Sequence, residues 1–256
     1  MLEKANHIIA LSDNADIEII KPDGSNQSGI KIDLHDFVFS ADYARDGSDL
    51  IASKDGEVIV IEGYFLNDQP ADLISPEGAV LQGSVVKVLA GPLAPGVYAQ
   101  EGDLAGAAPI GQVETLEGSA TVQRVDGTVE PLNVGTKVFQ NDVVQTTDGS
   151  TISITFLDKT IFTLSANSRM VLSELVYTPE GEDNSSVFNL VEGSFVFIAG
   201  QVAKTGDMQV KTPVATMGIR GTTVKVKIES NADGEATVTI SLNRDEDGTL
   251  GQFQIL

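Results

Sequence analysis

Apolar residues recur at every second position over short runs of this chain, and polar turn residues interrupt them at regular intervals. In the second half the runs are Ser119–Arg124, Thr136–Phe139, Val143–Thr146, Thr151–Phe156, Thr160–Leu164 and Arg169–Ser173, then Val187–Val191, Ser194–Ile198, Gln209–Thr212, Thr223–Ile228 and Ala236–Leu242. A period of two is that of strands with one buried face. Their spacing of roughly 8 to 12 positions is the cadence of an all-β fold. The first half carries shorter runs, Asp16–Lys21, Gly29–Leu34, Asp49–Ser53 and Glu57–Ile61. Between the last two, Lys54-Asp55-Gly56 predicts a tight hairpin, because Asp-Gly accepts the positive φ angles that two-residue turns require. Helical patterning is weak and confined to Asn6–Leu11 and Pro92–Gln100.

Between residues 90 and 111 the composition changes to Ala, Gly and Pro, which hold no regular element. This stretch reads as a linker. It divides the chain into a small β-hairpin-rich module over 1–89 and a β domain over 112–256, with its core at 112–229. The expected architecture is a β-sandwich or roll, or a short β-solenoid. The chain closes on the apolar run Gly251–Leu256, which gives the expectation that it belongs to a longer protein.

The stretch from Met208 to Ile228 organises the domain. Its alternating runs flank Gly218-Ile-Arg-Gly-Thr222, which reads as a glycine-bracketed turn in which the Arg220 guanidinium caps neighbouring carbonyls. The motif residues are Thr212, Pro213, Gly218, Arg220, Gly221 and Thr222. The order V-K-T-P-x-A-T-x-G-I-R-G-T resembles the closing motif of FecR-type domains, and the resemblance extends back to about Gly111. Its landmarks are Gly118–Val122, Leu132–Gly135, Gly149–Phe156, Asp158–Leu164 and Leu190–Ser194. The resemblance implies a β-rich module of envelope signalling regulators or of exported bacterial surface proteins. In addition, residues 43–65 resemble the N-terminal module of large biofilm adhesins of the BapA type, which are type I secreted surface proteins.

Charge narrows the partners. Sixteen basic residues stand against 37 acidic ones, a net charge of −21. Such a chain repels phosphate backbones and anionic lipid, which excludes nucleic acid as a partner. No apolar run is long enough to span a bilayer. The first residues, Met1–Asp13, do not read as a signal peptide. The expectation is therefore an envelope or extracellular location reached by a type I route, with the cytoplasm as the alternative.

Candidate chemistry is sparse. There is no cysteine, so thiol catalysis, disulfides and zinc-thiolate sites are excluded. The two histidines, His7 and His35, have no second histidine at ligand spacing and read as ordinary surface residues. Asp245–Thr249 begins like an EF-hand loop but places its glycine at the fourth position and Leu256 at the twelfth. The acidic loop Glu180–Asn184 reads as solvated. No hydrolase, phosphate-loop or dinucleotide motif occurs, so no cofactor, metal or catalytic residue is expected. The sequence predicts a non-enzymatic module that binds or presents a protein or cell-surface partner, adhesin-like in its leading form. The alternatives are a periplasmic signal-transduction module, which the FecR resemblance implies, and a polysaccharide-binding module using Tyr98 or Tyr177.

Overall fold

The computed structural model of the protein describes residues 16–22, 29–34, 36–92, 108–179, 181, 183–205, 207–220, 223–230, 236–243 and 252–256. Residues Asn6–Leu11, most of the linker, Tyr98, both histidines, Gly221, Thr222 and Asp245–Thr249 lie outside them. Strands dominate, and the all-β class is shown. Fourteen strands form one sheet that curls back on itself as a half-barrel, with antiparallel neighbours nearly throughout rather than the parallel stacking of a solenoid.

The curl is built on one strand. Ser185–Ile198 is 14 residues long and belongs to both halves of the sheet. Its first half pairs with Arg169–Val176 on one side and with Asp207–Lys211 on the other. Its second half pairs with Ile161–Leu164 and Thr223–Ser230. The sequence predicts two strands here, Val187–Val191 and Ser194–Ile198, because Glu192-Gly193 looks like a break. Instead the chain bends without ending: Gly193 takes φ 103°, and its neighbours keep their ladders on either side.

Alternation then fills the space between the two halves. One inward row runs Val113, Ile154, Phe162, Phe197, Val224 and Leu242 across six strands, each residue directly opposite the next. From the other half, Val122, Val144, Met170, Leu172, Phe188 and Val210 face it, all fully buried or nearly so. Phe162 stacks on Phe197 at 4.8 Å and lies 4.7 Å from Phe188, which meets Phe156 edge-on at 4.9 Å. Aromatic contacts of this kind add to the burial of the rings themselves. The outward row beside it is polar apart from Val196: Thr115, Ser153, Thr163, Val196, Lys225 and Ser241. Ser153 and Thr163 share a hydroxyl hydrogen bond of 2.8 Å.

The N-terminal residues form a four-stranded sheet with spatial order Asp16–Ile20, Glu57–Ile61, Asp49–Lys54, Asp42–Asp46. Its central hairpin turns at Asp55 (φ 52°) and Gly56 (φ 94°), the two positive angles the Asp-Gly pair predicts. Gly29–Leu34 contributes only a two-residue strand, Ile30–Lys31, in a small second sheet. A helix, Gly83–Leu89, follows where the sequence shows no helical signal; Val85, Val86 and Leu89 bury one side of it. Seven residues are too few for periodicity to register, and tertiary packing sets this element.

Gly193 is the tightest point of the long strand. A β-carbon there would lie 2.2 Å from Ser168 Oγ and 2.5 Å from Ser168 Cα, in a backbone conformation that L residues avoid. Gly193→Ala is therefore expected to destabilise the fold on the order of 3 kcal/mol, read by denaturant unfolding. A loss of less than about 0.5 kcal/mol would show that the bend tolerates a side chain.

Candidate functional site

The N-terminal unit lies on the outer face of the sheet. Val143, Val171 and Val191 point away from the main core and join a second buried cluster with Phe37, Phe39, Leu50, Ile59 and Leu89. Polar contacts pin this packing. The Arg169 side chain is buried and donates to the Ala41 carbonyl at 2.8 Å, with the Asp42 carboxylate 3.5 Å away. Gln123 donates to the Leu89 carbonyl at 3.1 Å. The Val80 amide donates to the Pro213 carbonyl at 2.8 Å.

That last contact gives part of the sequence motif its place. Thr212–Ala215 is the turn of the hairpin between Asp207–Lys211 and Thr216–Arg220. Thr212 closes it three times: its amide and its hydroxyl both donate to the Ala215 carbonyl, at 2.8 and 2.9 Å, and the hydroxyl accepts from the Ala215 amide at 3.1 Å. Pro213, with φ fixed and no N–H to lose, suits the corner and presents its carbonyl to the N-terminal unit. The rest of the motif is placed differently from expectation. Gly218 and Arg220 are not in a turn: Thr216–Arg220 is a strand, laddered to Asp207–Lys211 on one side and Gln252–Ile255 on the other. With Met217 and Ile219 both pointing into the core, alternation carries the strand past Gly218. Arg220 is exposed. Together with Gly218, Asp207, Gln252 and Gln254 it lines an open polar groove of about 420 Å³.

The densest charged cluster lies along the seam between the N-terminal unit and the sheet. Lys54 spends its three donors on the Asp36 carbonyl (2.6 Å), the Asp36 carboxylate (2.9 Å) and the Ser40 hydroxyl (2.6 Å). Glu192 sits opposite Arg169 in the ladder. Burial pushes the Glu192 carboxyl up, Arg169 and Lys54 pull it back down, and Asp36 adds to the rise. Asp36 and Glu192 border a cleft of about 300 Å³ that runs between Asp36 and Phe39 on one side and Asn167, Ser194 and Lys227 on the other. Among its described residues the cleft holds the Lys227–Glu229 ion pair and the Ser194 hydroxyl, with no nucleophile set against a base. Among the described residues no three His, Asp or Glu side chains gather as a metal site, and no helix is long and apolar enough to cross a membrane. Tyr177, a candidate sugar platform, packs partly buried against the main core.

A second buried pair pins the far side of the sheet. Arg124 donates to Asp142 Oδ2 at 2.6 Å and to the Lys137 carbonyl at 3.1 Å, and its guanidinium lies 5.3 Å from the Phe139 ring. The Phe139 amide also donates to Asp142 Oδ2, at 2.7 Å, while Asp142 Oδ1 is buried without a partner. Burial outweighs both, so the Asp142 carboxyl is pushed up to about 6. Sequence spacing gives no hint of this pair, whose members lie 18 residues apart.

Residues 142–243 match the family model described as FecR protein. The match covers less than half of the 256 residues and gives the chain a FecR-type domain. It starts at the buried aspartate and ends with the strand Ala236–Asn243, inside the expected range at one end and beyond it at the other. The resemblance of residues 43–65 to biofilm adhesins finds no support in it. Neither the curated proteins nor the solved structures contain a match to this chain.

Two outcomes test the pins. Arg169→Leu removes the hydrogen bond that a buried charge makes to Ala41, and is expected to cost on the order of 2 kcal/mol. Hydrogen exchange should speed up over residues 36–61 and leave 151–164 protected; equal acceleration in both would mean that Arg169 does not act at the seam. For Asp142 the folded carboxyl titrates near 6 against an ordinary 3.8, so its stabilising effect is complete below 3.8 and is lost as pH rises through 6. Relative to Asp142→Asn, the protein should therefore gain on the order of 2 kcal/mol when pH falls from neutral to about 4, measured as the difference between their unfolding free energies. A pH-independent difference contradicts this.

Proposed function

We propose that this protein is a non-enzymatic contact module of the bacterial envelope whose FecR-type domain takes part in signal relay by binding other proteins. The family match over residues 142–243 carries the reading, since FecR-type domains belong to envelope signalling regulators. The division of the chain at residues 90–111 belongs to the same proposal. The 112–256 part supplies the rigid curled sheet, and the 1–89 part covers one of its faces through Arg169, Pro213 and the valines around them. The groove beside Gly218 and Arg220 stays open on the part of that face away from this cover. Its lining of Asp207, Arg220 and the amides of Gln252 and Gln254 suits a polar segment of a partner protein that carries both donors and acceptors. Catalysis has no part in this reading.

The adhesin-like reading, which rests on the landmark order, the acidic cysteine-free composition and the N-terminal resemblance, finds no support in the family match and is not carried further. The polysaccharide reading is not carried further: Tyr177 packs partly buried against the main core, and Tyr98 lies outside the described residues.

The test is protease accessibility of the tagged protein in intact cells, combined with photo-crosslinking from position 220. Protection until the outer membrane is opened, with a crosslink to one envelope protein that Gly218→Trp abolishes, is the expected result. Digestion on intact cells would return the secreted surface reading, and protection until full lysis would remove the envelope altogether.

A further inference from the structure

We propose that the edge strand Ala236–Asn243 is a self-association surface, on which a second copy of this chain adds its own Ala236–Asn243 strand in antiparallel register and makes the two curled sheets continuous. The strand pairs with Thr223–Ser230 over all eight residues, without a bulge. Its other side faces no strand among the described residues. A row of unpaired backbone N–H and C=O groups is a template for another strand, and proteins blunt such rows with charge, proline, bulges or shortness. The other edges here follow that rule. Asp16–Ile20 and Asp42–Asp46 carry acids, Val129–Pro131 carries Glu130 and Pro131, and Lys137–Val138, Gln252–Ile255 and the two-residue strands are short. Ala236–Asn243, reading ATVTISLN, has none of these protections.

The side chains fit a copy of themselves. Thr237, Thr239 and Ser241 are exposed on the outer face, while Val238, Ile240 and Leu242 are only half-buried against the main core. In a two-fold pairing centred on Ile240, that residue meets Ile240 of the second copy. Val238 meets Leu242 and Thr239 meets Ser241, each pairing occurring twice. Apolar pairs then lie together on the core side and hydroxyl pairs on the water side, the combinations that stabilise cross-strand neighbours. The phase is set by this chain's own alternation, and it completes the burial that the edge leaves half done. Charge points the same way. Each copy carries −21, yet no residue of the seam is charged, and the outer face of the nearest strand contributes Lys225, Lys227 and Glu229, the last paired with Lys227 at 2.5 Å. Repulsion therefore acts between whole molecules, where salt screens it.

Sedimentation equilibrium of the full chain, from low micromolar to several hundred micromolar, tests this. The expected result is a mass rising from 27.0 kDa towards twice that value, at lower concentration as sodium chloride is added. The exposed double substitution T239E/S241E sets like charges opposite each other twice and should weaken association at least about tenfold. T239K/S241E sets opposite charges in the same two places and should restore it, with thermal unfolding showing both variants folded. A monomer under all conditions overturns the proposal. So does a dimer indifferent to T239E/S241E, which would use another surface. Association that weakens with salt would likewise overturn it, as that is the behaviour of a contact held by opposite charges, which this seam lacks.

Discussion

A single bent strand holds the molecule together. Ser185–Ile198 carries a ladder on each edge over both of its halves, so four other strands depend on it directly and the core between the half-sheets depends on its bend. The bend is possible because Gly193 reaches φ 103° with Ser168 in van der Waals contact where a side chain would otherwise be. Ser168 fills the gap as a hydrogen-bonding partner: its hydroxyl accepts from the Ser194 amide at 3.1 Å, and its own amide donates to Thr146 Oγ1 at 2.9 Å. An extended strand with no glycine at this point could serve one half-sheet or the other, but not both.

The outer face of the first half-sheet follows from that geometry. Residues that point away from the core at 143, 171 and 191 are valines, so the face needs a cover, and the N-terminal unit supplies it. Two kinds of interaction set the position of the cover. The apolar contact is non-directional and gives most of the affinity. The buried Arg169 fixes the register, because its guanidinium is satisfied only where the Ala41 carbonyl and Asp42 carboxylate come within reach. Glu192 remains the costly member of this seam, held between burial and the nearby cations.

Much of this was legible in the sequence, and the misses have physical causes. Alternation locates Thr151–Phe156 and Thr223–Ser230 because each has one wet and one dry face. Asp55-Gly56 announces its turn because few other pairs accept two positive φ angles. Glu192-Gly193 misleads, since a glycine that ends a strand and one that bends it have the same letters around them. Gly218 misleads in the same way: a glycine in a paired strand signals no turn unless the ladder partners are known. Thr212 and Pro213 are visible as a motif, but their role at the seam depends on Val80, which lies more than a hundred residues away and carries no local sign of it. The Arg124–Asp142 pair and the Arg169 pin are long-range charge contacts of the same kind. A helix as short as Gly83–Leu89 is likewise set by its neighbours.

The central claim is that the two half-sheets fold as one unit because they share Ser185–Ile198. Native-state hydrogen exchange, followed residue by residue in low denaturant, tests it most directly. Amides of Ser185–Ile198, Met170–Leu172 and Phe162–Leu164 should open together, with one free energy equal to that of global unfolding. If the Phe162–Leu164 side and the Met170–Leu172 side opened separately, with different free energies, the half-sheets would be independent and the shared strand would not be what joins them.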